Sequence, residues 1–277
     1  MPADPSSAVT QTNLPQDVPL AAVDPAAKVT TLPSGAAFIF SSLTAKQANI
    51  LADAAEDPTT TARLLSSCTR ALVNPGPYRV DAGAPFNWSK ALTGDRIAAI
   101  LMIRAMTYGS SYEFKVKCSA CGKRFGWGIQ IPDDLTFRPY PQAALDAFIS
   151  GQKGIEVTLP DGAKALAKIL TGKDEEEAQR DAARLKREAK GQEMTFSLSR
   201  LFWTVDGVAS TPEAFEHVAF PDIPSYAQAA SDIVGGVETD IDVKCTNVDC
   251  EEEQTISLPF GRDFFLPAKK SRVSSRT

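Results

Sequence analysis

The sequence predicts an α+β fold made of two similar modules that share one four-cysteine site. Three observations carry this prediction. Four of the five cysteines fall in two close pairs, Cys118-Ser119-Ala120-Cys121 and Cys245-Thr246-Asn247-Val248-Asp249-Cys250, each preceded by Val-Lys and flanked by strand-like runs. Identities recur at one offset of 127 residues: Leu32 and Leu159, Gly35 and Gly162, Thr44 and Thr171, Asp95 and Asp222, Cys118 and Cys245. Within each half the order is the same: a hairpin carrying Leu-Pro-x-Gly, a helix opening at Leu-Thr, further helices, then strand, cysteine turn and strand. Recurrence at a fixed offset is the mark of an internal repeat.

Residues 1–27 hold five prolines and no aromatic residue, so they are expected to form a flexible N-terminal arm. The first module spans 28–131. It opens with a hairpin around Leu32-Pro33-Ser34-Gly35, and a helix follows with Thr44 as its N-cap. A second helix is expected over Arg63 to Val73, closed by Asn74-Pro75-Gly76-Pro77. A third, Asp95 to Tyr108, is apolar on more than one face and should be the most buried. Gly109 ends it, and the alternating run Tyr112 to Lys117 leads into the first cysteine turn, with Phe125 to Ile131 leaving it. A connecting segment, 132–154, carries one short helix over Gln142–Ser150.

The second module, 155–258, repeats the hairpin around Leu159-Pro160-Asp161-Gly162. A charged helix then runs to about Ala189, expected to be mostly solvated, with Glu176–Arg180 and Asp181–Arg184 pairs and a thin stripe of Ala178, Ala182, Leu185 and Ala189. Helices are expected over Met194 to Val205, Pro212–Val218 and Ser225–Val234. Thr239 to Lys244 enters the second cysteine turn and Thr255 to Leu258 leaves it. Residues 259–277 form an aromatic segment and a basic tail. Phe260, Phe264 and Phe265 there either cap the core or dock on another subunit.

The chemistry follows from the residue inventory. Cys118, Cys121, Cys245 and Cys250 have the pairing expected of two knuckles closing one tetrahedral site, so a structural zinc ion is expected to join the halves. Lys117, Lys123, Arg124 and Lys244 lie close enough in sequence to offset the surplus negative charge, and Gly122 suits a position needing positive φ. The second turn is wider, with four residues between its cysteines. Cys68 reads as a small buried hydrophobe. His217 is the single histidine and is expected to be exposed and idle. With one histidine, Ser-His-Asp and His-Glu-x-x-His chemistries are disfavoured, and the chain is expected not to be an enzyme, with no catalytic residues, no small-molecule substrate and no cofactor but zinc. The net charge of −5 argues against a protein that coats phosphate backbones. No apolar run is long enough to span a bilayer.

The order and spacing of Leu32-Pro33-Ser34-Gly35, Leu92-Thr93-Gly94-Asp95-Arg96 with Tyr108-Gly109, the two cysteine turns, Leu159-Pro160-Asp161-Gly162 and the Phe264-Phe265 finish resemble the baseplate hub subunit and hub-assembly proteins of T-even-type contractile-tailed bacteriophages, over about 28–267. The resemblance implies a viral structural or tail-assembly protein. Its partners would be other tail or baseplate hub proteins, and its place the host cytoplasm during assembly and the virion. Two alternatives remain: a tail assembly chaperone absent from the mature particle, and a zinc-ribbon accessory factor of a nucleic-acid-processing complex.

Overall fold

The computed structural model describes residues 28–52, 57–188, 193–260 and 262–265. The expected arm (1–27), the basic tail and most of the alanine–leucine stripe beyond Ala178 lie outside the described residues or side chains. Helices and strands mix throughout.

The first half opens with β1 (Val29–Thr31) and β2 (Ala37–Phe40), then α1 (Ala45–Ala52), α2 (Thr60–Cys68) and β3 (Thr69–Asn74). These strands form an antiparallel sheet in the order β1-β2-β3. Next come α3 (Thr93–Tyr108) and the hairpin β4 (Ser111–Lys117) and β5 (Arg124–Gln130). The connection holds β6 (Phe137–Arg138) and α4 (Gln142–Ser150). The second half holds β7 (Gly154–Thr158), β8 (Lys164–Lys168), α5 (Gly172–Glu188), α6 (Glu193–Leu201), β9 (Phe202–Val205) and β10 (Val208–Ala209), with a four-stranded sheet in the order β10-β9-β8-β7. Then come α7 (Ile223–Ser231), β11 (Gly236–Val237), the hairpin β12 (Asp240–Lys244) and β13 (Glu253–Ser257), and finally α8 (Arg262–Phe265).

Several local features recur 127 residues apart. The opening hairpins pair Thr31 with Ala37 and Thr158 with Lys164, each position displaced by 127. Leu32 N–H donates to Ala36 O and Leu159 N–H to Ala163 O. At the following helix start, the N–H and hydroxyl of Thr44 both donate to Gln47 Oε1, and those of Thr171 both donate to Asp174 Oδ2. Both sheets carry an irregularity at the same place, between Ile39 and Phe40 and between Leu166 and Ala167.

Two helix expectations are corrected. The segment from Arg63 to Val73 leaves the helix at Cys68 and continues as β3, and Met194 to Val205 leaves it at Leu201 and continues as β9. In each case the β-branched and aromatic residues beyond the break add a third strand to the hairpin. Pairing with a strand about 30 or more residues away outweighs the local helical pattern. Pro212–Phe215 is a single 3-10 turn.

The largest core gathers Phe38, Phe40, Leu65, Trp88 and Ile103, with Tyr140, Ala144 and Ala147 from the connection and Ile169 from the second half. A smaller core gathers Ala165, Ala167, Leu198, Phe202, Phe215 and Tyr226. The starts of α3 and α5 meet: Thr93 N–H donates to Leu170 O and Gly172 N–H to Ala91 O. Gly172 is required there, since a Cβ would sit 1.7 Å from Arg96 Nη1 and 2.7 Å from Trp88 O.

The charged helix α5 is not merely solvated. Glu176 is buried and faces Arg96, itself 2% exposed, at 3.3 Å, while Glu175 lies 2.9 Å from Arg96 Nε. Glu176 also accepts from Ser89 Oγ at 2.7 Å, so its partner is Arg96 across the halves and not Arg180. Asp181 pairs with Arg200 at 2.9 Å, and the Arg184 side chain expected to face it lies outside those described. Burial pushes the Glu175 carboxyl above its ordinary value, opposed by Arg96.

Candidate metal centre

The strand pair β4–β5 turns over at Cys118 to Lys123, and β12–β13 at Cys245 to Glu252. Alternation decides which side chains point inward. Tyr112, Val116, Phe125 and Ile129 are buried on the first hairpin, with Phe114 and Trp127 half-buried; Val243 is buried on the second, with Ile241 and Ile256 half-buried. These rows pack together, and Cys118 and Cys245 join the cluster they form. Burying the rows brings the two turns side by side.

At that junction the sulfurs of Cys118, Cys121, Cys245 and Cys250 all lie within 4.8 Å of one another. Cys118 and Cys250 are 3.7 Å apart, and Cys121 and Cys245 3.9 Å. A disulfide needs about 2.05 Å. A tetrahedral zinc ion with Zn–S of about 2.3 Å sets its sulfurs about 3.8 Å apart, so the spacing suits a shared ion. The pairing crosses between the turns, each close contact joining one cysteine from each half. Cys118 and Cys245 are buried, Cys250 is half-buried and Cys121 is exposed.

The backbone prepares the sulfurs for charge. The N–H of Cys121 points at Cys118 Sγ at 3.5 Å, and this bond, with others from Ala120 and the neighbouring thiols, lowers the Cys118 thiol to about 7. The N–H groups of Asn247 and Glu252 act in the same sense on Cys245 and Cys250. At Cys250 that help is outweighed by burial and the three other sulfurs, which push its thiol up to about 11; Cys245 is also raised. Four thiolates at this spacing repel one another, and a divalent cation removes the conflict.

Gly122, just after Cys121, has φ of 70°, as the sequence leads one to expect, and Glu251, just after Cys250, has φ of 51°. The wide second turn therefore ends in the same left-handed step as the narrow one, at the small cost a non-glycine residue bears there. The nearby cations are arranged differently from expectation. Lys244 pairs with Glu251 at 3.0 Å, Lys123 donates to Asn247 Oδ1 across the junction at 3.1 Å, and Lys117 and Arg124 point outward into solvent.

Gln254 is a structural tie at the junction that sequence reading missed. Its Oε1 accepts from Ser119 N–H at 2.7 Å and its Nε2 donates to Lys117 O at 3.2 Å, so one amide ties the second hairpin to the first turn. The available signal was a polar residue at an inward position of β13.

Among the other candidates, Cys68 is fully buried and its thiol is raised by burial. His217 is exposed and lies 3.7 Å from Asp161 Oδ2. The docking reading of the terminal aromatics is corrected for Phe264, which is fully buried in its own chain. Its ring meets Tyr112 edge-on at 5.0 Å, and the Arg104 guanidinium sits 5.5 Å from its centroid. Phe265 is half-buried against it, Phe260 is partly exposed, and Tyr108 OH donates to Phe265 O at 2.6 Å. Apolar area and a cation–π partner inside the chain use the ring that a partner would have needed.

No protein-family model, curated protein or solved structure matches this chain. No helix among the described residues is long and apolar enough to cross a membrane.

Proposed function

We propose that Cys118, Cys121, Cys245 and Cys250 hold one structural zinc ion that joins the two halves of a non-enzymatic structural or assembly protein. One observation carries this reading: four sulfurs from two hairpins more than a hundred residues apart lie within 4.8 Å of one another. Four thiolates fill a tetrahedral shell and leave no open position for water or substrate, which is the arrangement of a closed structural site. The matched registers, helix starts and sheet irregularities support an origin by duplication, with modules at 28–131 and 155–258 joined by 132–154. The test is metal content by mass spectrometry. One zinc per chain is expected, lost in both Cys118→Ser and Cys245→Ser; full metal in either variant would rule out a shared site.

The specific reading is a subunit or assembly factor of a phage baseplate hub, and it rests on the sequence resemblance. Mass spectrometry of purified mature tails tests it. A small fixed copy number makes the chain a hub subunit. Presence only in lysates, bound to other tail proteins, makes it an assembly chaperone. Absence from both removes the hub reading.

A further inference from the structure

The outer rows of the two hairpins carry opposite charge. On the first, Lys115 stands opposite Gly126, Lys117 opposite Arg124 and Glu113 opposite Gly128, and all six are exposed. Lys115, Lys117 and Arg124 enter no ion pair among the described residues. On the second, Asp240 stands opposite Ser257, Asp242 opposite Thr255 and Lys244 opposite Glu253. Asp240 and Asp242 accept from the hydroxyls across from them and meet no cation among the described residues, while Lys244 is taken by Glu251.

Gly126 and Gly128 are not explained by their own chain. A Cβ on Gly126 would meet nothing within 4 Å, and one on Gly128 would make ordinary contact with Glu113 at 3.6 Å. Neither has positive φ. Glycine inside a strand weakens it and commonly marks a site where another backbone comes close, here directly beside the cations.

We propose that the basic outer row of the first hairpin docks on the acidic outer row of the second hairpin of another copy of this chain. Both rows repeat every second residue along a strand, Lys115 and Lys117 on one and Asp240 and Asp242 on the other, so charges spaced by about 6.7 Å meet charges at the same spacing. Within one molecule the hairpins pack through their inner rows, and no ion pair among the described residues joins the two outer rows. The two surfaces differ, so the contact is head-to-tail and extends into a ring or an open filament. A phosphate polymer would fit the basic row alone, but the chain's net charge of −5 opposes it. Exposed ion pairs are individually weak, so the association is salt-labile.

The test is sedimentation of the full-length chain at several concentrations, with zinc content measured in every sample so that loss of the metal is read separately. The wild type is expected to self-associate at about 0.05 M salt and to weaken at least tenfold by about 0.5 M. Lys115→Glu/Lys117→Glu and Asp240→Lys/Asp242→Lys should each be monomeric at low salt, and an equimolar mixture of the two should associate again, since each reversed row then meets its opposite. A wild type that stays monomeric at low salt, or reversed variants that assemble as the wild type does, would overturn the proposal. So would a basic row that retains the chain on heparin while no self-association occurs.

Discussion

The opening hairpins of the two sheets pair in the same register, and the two sheets fill their cores in opposite ways. In the first, Phe40 on the middle strand pairs with Thr69; in the second, the middle strand carries Ala167, which pairs with Phe202. The large ring has moved from one side of the pair to the other. Where the rings of Phe38 and Phe40 lie tilted against Trp88 at 5.0 and 6.0 Å in the first half, Ala165 and Ala167 leave room for Phe202 and Phe215, whose rings lie 5.9 Å apart. The tie from the hairpin turn to the following helix is exchanged in the same way. Ser34 donates to the buried Asp95 of α3, which also accepts from Tyr78 OH at 2.6 Å. At the position 127 residues after Ser34 stands Asp161; burial, together with the charge of Asp161, pushes the phenol of Tyr226 on α7 up to about 12. Strand register and helix starts are the common frame, and volume and charge are placed freely within it as long as each sum is met.

The largest effect should come from the joint between the halves. Chelation, or Cys245→Ser, is expected to remove the proposed zinc ion and cost more than about 5 kcal/mol, read as loss of metal together with early unfolding in urea. Next, Arg96→Ala leaves Glu176 buried without its cation and should cost about 3–5 kcal/mol. If unfolding midpoints barely move, the halves are not joined through this pair. Phe40→Ala should cost about 3–5 kcal/mol by opening a cavity, and Thr69→Phe added to it should recover part of that by copying the second half's arrangement. Recovery stays partial because Thr69 Oγ1 accepts from Trp88 Nε1. The reverse change, Ala167→Phe, should overpack the second core by about 1–3 kcal/mol.

The smallest effect distinguishes the two turn ties by pH. Burial raises the Asp95 carboxyl above its ordinary value, opposed by the bonds from Ser34 and Tyr78. Asp161, which accepts from Ala163 N–H and has Tyr226 and His217 nearby, is lowered, chiefly by the Ala163 bond. A raised carboxyl gives stability that is present below the unfolded value of about 3.9 and lost as pH rises through the folded value; a lowered one gives stability present above about 3.9 and lost as pH falls through the folded value. Urea midpoints across this range should therefore show opposite slopes when wild type is compared with Asp95→Asn and with Asp161→Asn. Slopes of the same sign would mean the two ties are not exchanged equivalents.

Local signals in the sequence were enough for much of this molecule. Both opening hairpins, the Thr44 cap, α3 and its stop at Gly109, α4, the strands around each cysteine turn and the positive φ of Gly122 are readable because each is set within a few residues by turn chemistry, capping or alternation. The four candidate ligands were readable from spacing and matched lead-ins. Tertiary structure alone decided the handover from α2 to β3 and from α6 to β9, the burial of Glu176 against Arg96, the enclosure of Phe264 and the bridging role of Gln254. Each of these depends on a partner distant in sequence, and a residue's own pattern does not say whether its partner will be water or a strand, an arginine or a backbone carbonyl brought in from elsewhere in the chain.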